Sequence, residues 1–272
     1  MDAEERELLA EALRGTMTAT PAGAALDAAL AEVGWEDLLA QEPEVAVPLV
    51  FSLLGETGAH ASLVNDVLLA AAGQPVGGTV ALPYAGGRQV VWERADAGGD
   101  GGVLDAALPL RAVDPDAADG GKAAADPVAL AAGRRALGWW LVGTGRAMLD
   151  LARTHALDRT QFGKPIAAFQ AVRHRLAETY VALEGAEATL TVAEDELGCL
   201  LAKAAAGQAA LDAARHCQQV LGGIGFTAEH ALHHHIRRAL VLDGLLGNTR
   251  ELTRQAGALI RAQRAAPRLA QL

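Results

Sequence analysis

The sequence is poor in aromatic residues, cysteine and positive charge, and it has no long apolar run. Aromatics make up 4 % of the 272 residues. Alanine and leucine carry the apolar content instead, and these side chains lose little rotamer freedom in helices. Lys and Arg number 23 against 33 Asp and Glu, a formal net charge of −10. That balance excludes nucleic acid and anionic membrane as the main partners. The two cysteines, Cys199 and Cys217, sit in helical patterns without CxxC spacing. They read as buried free thiols of a reducing cytoplasm. The first segment, "MDAEERELLAEALR", lacks the apolar stretch of a signal peptide. "ALGWWLVGTG" is too short to span a bilayer and is closed by Arg146.

What is present is a 51 % hydrophobic chain, long enough to bury a substantial core. Residues 4–72 carry short helical patterns, with Leu26, Leu30, Val33 and Leu38 on one face and Pro48 expected to open or kink a helix. From Pro75 to about Pro115, "GGTVALP", "RQVVWER" and "GGVLDAALPLRAV" are β-prone runs separated by glycine-rich breaks, which predicts a small sheet. "DPDAADGGKAAA" (114–125) reads as a linker. Asp126-Pro127 then has helix-start chemistry. Leu137, Trp140, Leu141, Thr144 and Met148 recur at i, i+3, i+4 spacing, in a helix predicted to run to about Leu157. Further helices are predicted from Pro165 to about Leu197, from Leu200 to Leu221, up to Leu242, and from Thr249. Long helices with short turns form an antiparallel bundle. The expected divisions are 1–73 helical, 74–115 sheet, 116–126 linker and 127–272 bundle.

Two turns are richer than geometry requires. In "LDRTQFGKPIAAFQ" (157–170), Arg159, Gln161, Phe162 and Lys164 crowd around Gly163 before Pro165. A guanidinium, an amide and an aromatic ring beside a helix start suit a phosphate and a flat ring, though a polar turn stapled by Phe162 fits as well. In "QQVLGGIGF" (218–226), Gly222, Gly223 and Gly225 permit close backbone approach, and a helix C-cap is the plainer explanation.

Taken together and in order, "RTQFGKPIAAFQAVRHRLAE", "QQVLGGIGF" and "IRRALVLDGLLGNTRELTRQ" resemble the C-terminal helical domain of the acyl-CoA dehydrogenase family over residues 127–262. The likeness over 1–115 is looser. It implies a mainly α fold with N-terminal helices, a small middle β-domain and a C-terminal four-helix bundle. It also implies FAD and an acyl-CoA substrate. By resemblance, Arg159 meets the FAD pyrophosphate of a neighbouring subunit, Gln161 and Phe162 line that cofactor, and Gln219, Gly222 and Gly223 approach its adenine-diphosphate half.

The sequence departs from the family at the general base. A carboxylate must take the weakly acidic α-proton while the flavin receives a hydride from Cβ. The usual glutamate position in the turn before the last helix falls on Leu246, followed by Gly247; the alternative position, one residue before Arg134, falls on Gly133. Neither accepts a proton. Asp243 lies three residues upstream of Leu246 and is the remaining acidic candidate, with capping or solvation as its plainer role. The β-domain is also truncated, without the Thr/Ser segment that receives the flavin ring.

The expected function is therefore a base-less, shortened subunit of a heteromeric, α2β2 acyl-CoA dehydrogenase. It would complete the FAD site of a longer catalytic subunit acting on bulky esters such as steroid side-chain or ring-fragment CoA thioesters. A self-sufficient enzyme using Asp243 and a non-enzymatic oligomerisation scaffold are the alternatives. The run His233-His234-His235 is read as surface or interface rather than metal ligation, because consecutive helical residues diverge. His174 and His216 are expected to be structural, and Trp139-Trp140 to pack in a core or interface.

Overall fold

The computed structural model describes residues 1–94, 108–113 and 126–264. The linker expected at 116–126 lies, apart from Asp126, outside the described residues. Five helices open the chain: α1 (Ala3–Ala19), α2 (Ala24–Glu32), α3 (Trp35–Gln41), α4 (Pro43–Thr57) and α5 (Val64–Ala71). Three antiparallel strands follow in the order β1 (Ala81–Tyr84), β2 (Arg88–Trp92) and β3 (Leu110–Val113). The long helix α6 (Pro127–Asp158) leads into a two-residue-stranded hairpin, β4 (Thr160–Gln161) with β5 (Lys164–Pro165). Then come α7 (Gln170–Thr191), α8 (Glu196–Leu221), α9 (Leu232–Gly244) and α10 (Thr249–Gln263).

Local chemistry explains most boundaries. Asp126 accepts from the Val128 N–H at 2.8 Å with Pro127 as the first helical residue, as expected for the start of α6. Asn248 and Glu251 form a capping box that opens α10. Three expectations need correction. Of the two roles expected for Pro48, opening a helix is excluded: α4 begins at Pro43 and carries Pro48 inside it. Val33 lies beyond the end of α2, where left-handed Gly34 turns the chain, so it is exposed rather than facing inward. The helix expected from Pro165 to Leu197 begins at Gln170 and ends at Thr191, because the hairpin precedes it and Asp195 caps a new helix at Glu196.

The core is continuous from the first helices through the sheet to the bundle. Helices α4 and α6 cross at glycines: a Cβ on Gly55 would strike the Trp140–Thr144 backbone, and one on Gly143 would strike Ser52. Beside that crossing, Trp92 of β2 stacks on Trp140 at 5.3 Å, and Phe51 meets Trp140 edge-on at 5.7 Å. Asn65 of α5, fully buried, donates to Trp92 O at 3.0 Å and accepts from Val80 N at 3.2 Å. The small sheet is thereby fixed directly against the helices. No helix among the described residues is long and apolar enough to cross a membrane.

Candidate functional site

The first feature is the turn where the family resemblance expects a general base. Between α9 and α10, Leu246 adopts φ 57° and Gly247 φ 101°. A branched-chain residue with positive φ is uncommon and signals a turn held by its surroundings. Those surroundings are specific. The Leu246 N–H donates to Pro83 O at 2.7 Å, and Ala85 N–H donates to Gly244 O at 2.8 Å, so the end of β1 pairs with the turn. Gly86 N–H donates to Glu251 at 3.0 Å, and this bond holds the Glu251 carboxyl below its usual range. Arg134 Nε donates to Leu246 O at 3.2 Å.

Leu246 itself is 1 % exposed. The two positions where the family resemblance puts a base converge: a Cβ built on Gly133 would meet Leu246 Cδ1 at 2.8 Å and Leu68 Cδ1 at 2.9 Å. The space between them is thus filled by leucine methyl groups. Tyr84 closes the other side, its ring lying where a Gly244 side chain would be. Among the described residues this spot offers no side-chain proton acceptor, and the β1–β2 hairpin covers it.

Asp243 is engaged elsewhere. Its carboxylate accepts from Thr249 Oγ1 at 2.7 Å and from Thr249 N at 3.1 Å, at the first residue of α10. That is capping chemistry. Beneath it lies a residue the sequence reading missed. Lys203 is 0 % exposed and donates to Gly247 O at 2.7 Å and Asp243 O at 3.0 Å. Burial lowers its pKa to about 7, with the Asp243 charge opposing the shift. The signal was available: Lys203 is the one charge in the apolar stretch from Leu197 to Leu211.

The second feature faces outward at the opposite end of α6. The β4–β5 hairpin turns through Phe162 and Gly163, with φ 53° and 78°, as a two-residue loop of the primed type requires. Ile166 N–H donates to Arg159 O at 2.8 Å and closes it. The ring of Phe162 is 91 % exposed and touches Phe169 edge-on at 6.1 Å, while Lys164 Nζ lies 4.5 Å from the Phe169 ring. Arg159 and Gln161 are exposed. The Arg159 side chain forms no hydrogen bond or ion pair with another described residue.

The glycine turn after α8 belongs to the same end of the bundle. Helices α6, α7 and α8 alternate in direction, so the end of α6, the start of α7 and the end of α8 lie together. His216 of α8 bonds Thr179 of α7 at 2.9 Å, and the charge of His230 is felt at His155 of α6, whose pKa is lowered chiefly by burial. Gly222 has φ 64° and needs to be glycine for its backbone. Gly223 does not: its φ is ordinary and a Cβ there would meet nothing. Gln219 is exposed beside them. A guanidinium without a partner among the described residues, two exposed amides and an open glycine fit an anionic ligand presented from outside this chain.

The remaining candidates are structural. Cys199 and Cys217 are buried free thiols, pushed up to about 11 and about 12 by burial. Among the described residues no cluster of His, Cys, Asp or Glu could hold a metal. The expected divergence of the three histidines holds only in part: the His233 and His234 rings meet edge-on at 5.4 Å, while His235 packs against Gly58.

With this geometry in view, the comparisons with known proteins are direct. The acyl-CoA dehydrogenase C-terminal domain profile matches residues 120–260. The acyl-CoA dehydrogenase FadE34 of Mycobacterium tuberculosis is 42 % identical over 130 residues, 44 % of this chain and 18 % of that protein. The chain therefore spans less than a fifth of that relative's length. A chain of the Tcur3481-Tcur3483 steroid ACAD G363A variant superposes with a TM-score of 0.71 at 20 % identity, over 97 % of this chain and 99 % of that one. A chain of the ChsE4-ChsE5 complex from Mycobacterium tuberculosis gives 0.71 at 20 % identity, over 98 % and 99 %. The fold is the one seen in those structures, and the chain belongs to the acyl-CoA dehydrogenase family.

Proposed function

We propose that this chain is a base-less subunit of a heteromeric, FAD-dependent acyl-CoA dehydrogenase, completing the cofactor site of a longer catalytic subunit. One observation carries the reading: both base positions meet in one apolar plug, Leu246 over Gly133, while Arg159 is exposed at the other end with no partner among the described residues. FAD, when bound, accepts the hydride in this chemistry. The residues here hold rather than react. Arg159 offers its guanidinium to the diphosphate, Gln161 and Gln219 offer amides, Phe162 offers an apolar wall, and Gly222-Gly223 allows backbone approach. The two-component assemblies among the structural neighbours, one of them a steroid ACAD, support a heteromeric partner; the α2β2 arrangement is part of the proposal. They also favour bulky acyl-CoA esters such as steroid side-chain or ring-fragment thioesters as the substrate class. The cytoplasm is the compartment this chemistry suits.

The test is to express the chain alone and together with a full-length acyl-CoA dehydrogenase encoded beside it, and record flavin absorbance and acyl-CoA oxidation. A colourless lone chain and a yellow, active complex are expected. A yellow, active lone chain would contradict the reading and favour the self-sufficient alternative.

A further inference from the structure

At the pole of the bundle opposite the Arg159 turn lies a depression of about 680 Å³, set among the start of α6, the end of α7 and the start of α8. Val128, Ala131, Ala132, Ala193 and Cys199 give it an apolar floor, and Val128 is 65 % exposed. Its rim is acidic, with Glu44, Glu194, Asp195 and Glu196. Two of these are already engaged. Glu44 pairs with Arg135 at 2.7 Å, and Asp195 caps α8 by accepting from the Gly198 N–H at 2.6 Å. Glu194 and Glu196 are exposed and form no hydrogen bond or ion pair with another described residue. An apolar floor beneath two such carboxylates suits an apolar segment that carries positive charge.

The fourth helix of the bundle delivers a segment of this kind to the same pole. Helix α10 runs antiparallel to α8: Thr249 at its start donates to Ala204 O at 3.3 Å, and Leu259 and Ile260 near its end pack against the cluster that holds Leu197 and Leu200. The C-terminus of α10 therefore emerges beside the start of α8. Arg264 closes the helix at φ 53°, a left-handed cap that turns the chain aside instead of letting it run straight on. Residues 265–272, "AAPRLAQL", follow outside the described residues. Such a segment can span up to about 26 Å, against roughly 8–10 Å between packed helices. Its charge has the required sign. After Glu251 the sequence has no acid, while Arg254, Arg261, Arg264 and Arg268 follow, in a protein of formal net charge −10.

We propose that residues 265–272 fold back over this pole and dock in the depression of their own chain. Arg268 then stands between Glu194 and Glu196, and Leu269 lies on the floor beside Val128. The docked segment ties the end of α10 to the three helix ends that line the depression. The contact uses none of the residues assigned to the cofactor, so it stands apart from the FAD reading.

A Val128→Cys variant, studied alone and co-purified with the catalytic subunit, reports on the depression through the alkylation rate of its thiol, located by peptide mass spectrometry. Cys199 and Cys217 are buried and leave that rate readable. A segment docked nine-tenths of the time slows alkylation about 10-fold relative to the same variant ended after Arg264. Arg268→Glu should label as fast as the shortened chain, and adding Glu194→Arg and Glu196→Arg to it should restore protection. Helicity and flavin content should stay the same throughout. In an oxidised Val128→Cys/Leu269→Cys variant the crosslink should fall within one chain. Equal rates in the full and shortened chains would overturn the proposal, whether both are fast (an uncovered depression) or both slow (another protein over it). A crosslink between chains, or none, would overturn it as well. Failure of the cofactor reading would instead show as missing flavin with the labelling pattern intact.

Discussion

Replacing Leu246 with glutamate restores the residue type that the family resemblance places in this turn, and the structure states what that costs. The position is 1 % exposed, and the surrounding groups are Leu68, the Gly133 backbone and the end of β1. The Arg134 guanidinium is near but is already bonded to Leu246 O and to Gln255. A carboxylate there is desolvated with little compensation, and a folded-state pKa raised by about 3 units corresponds to roughly 4 kcal/mol. Loss of the leucine packing adds to this, since Leu→Ala at buried sites costs about 2–5 kcal/mol. The two parts separate by pH. An acid whose folded pKa is raised does no electrostatic harm below its unfolded value near pH 4.3, and the penalty grows as pH rises to the folded value. Leu246→Glu should therefore be close to Leu246→Ala in stability at pH 4.5 and markedly worse at pH 8. Denaturant unfolding of the two variants and the parent at both pH values measures this. Equal stability of Leu246→Glu and the parent at pH 8, or a pH-independent difference from Leu246→Ala, would refute the picture of a dry, leucine-filled plug.

Three further outcomes follow from individual residues. Arg159→Ala in the complex should weaken FAD retention about 10- to 100-fold, the loss of one charge-assisted phosphate contact of roughly 1.5–3 kcal/mol, with the melting temperature of the lone chain unchanged; unchanged FAD affinity removes Arg159 from the site. Gly223→Ala should reduce FAD affinity without altering the chain's own stability, whereas Gly222→Ala, at φ 64°, should destabilise the chain by about 1 kcal/mol; thermal melts and flavin titration distinguish them. Lys203, with a folded pKa lowered to about 7, binds its proton less readily folded than unfolded. Its contribution to stability thus rises with pH from about 7 toward its unfolded value, by at most about 1.4 kcal/mol per pH unit, and Lys203→Met should flatten that rise. A pH profile identical to that of the parent would show that Lys203 is not the source.

Much of the arrangement was readable in sequence because its signals are local. Asp126-Pro127 and Asn248-Thr249-Arg250-Glu251 are capping patterns, and the helices they open start where those patterns put them. The Arg159 turn and Gly222-Gly223 stand out in the sequence as residue types that suit an anion, and their assignment to a cofactor comes from the family resemblance. The occlusion of the turn at Leu246 was not readable, since it depends on Pro83, Tyr84 and Ala85 pairing with residues some 160 positions later. The meeting of Leu246 with Gly133 is likewise a tertiary contact that spacing alone cannot give. Lys203 was passed over because a lone lysine on a helix is usually solvated, and only the packed structure shows it buried beneath the turn. The hairpin at 160–165 shows in the sequence only as a turn, because its strands are two residues long, too short for alternation to register.

The most direct measurement is the rate of anaerobic flavin reduction by acyl-CoA in the complex, with the acid removed from one subunit at a time. Replacing the catalytic subunit's turn glutamate with glutamine should slow reduction on the order of 10²–10⁴-fold, the usual cost of losing a positioned base. Asp243→Asn in this chain keeps the acceptor for Thr249 and should leave the rate unchanged. The reverse pattern, with reduction lost in Asp243→Asn and retained without the other subunit's glutamate, would place the base in this chain.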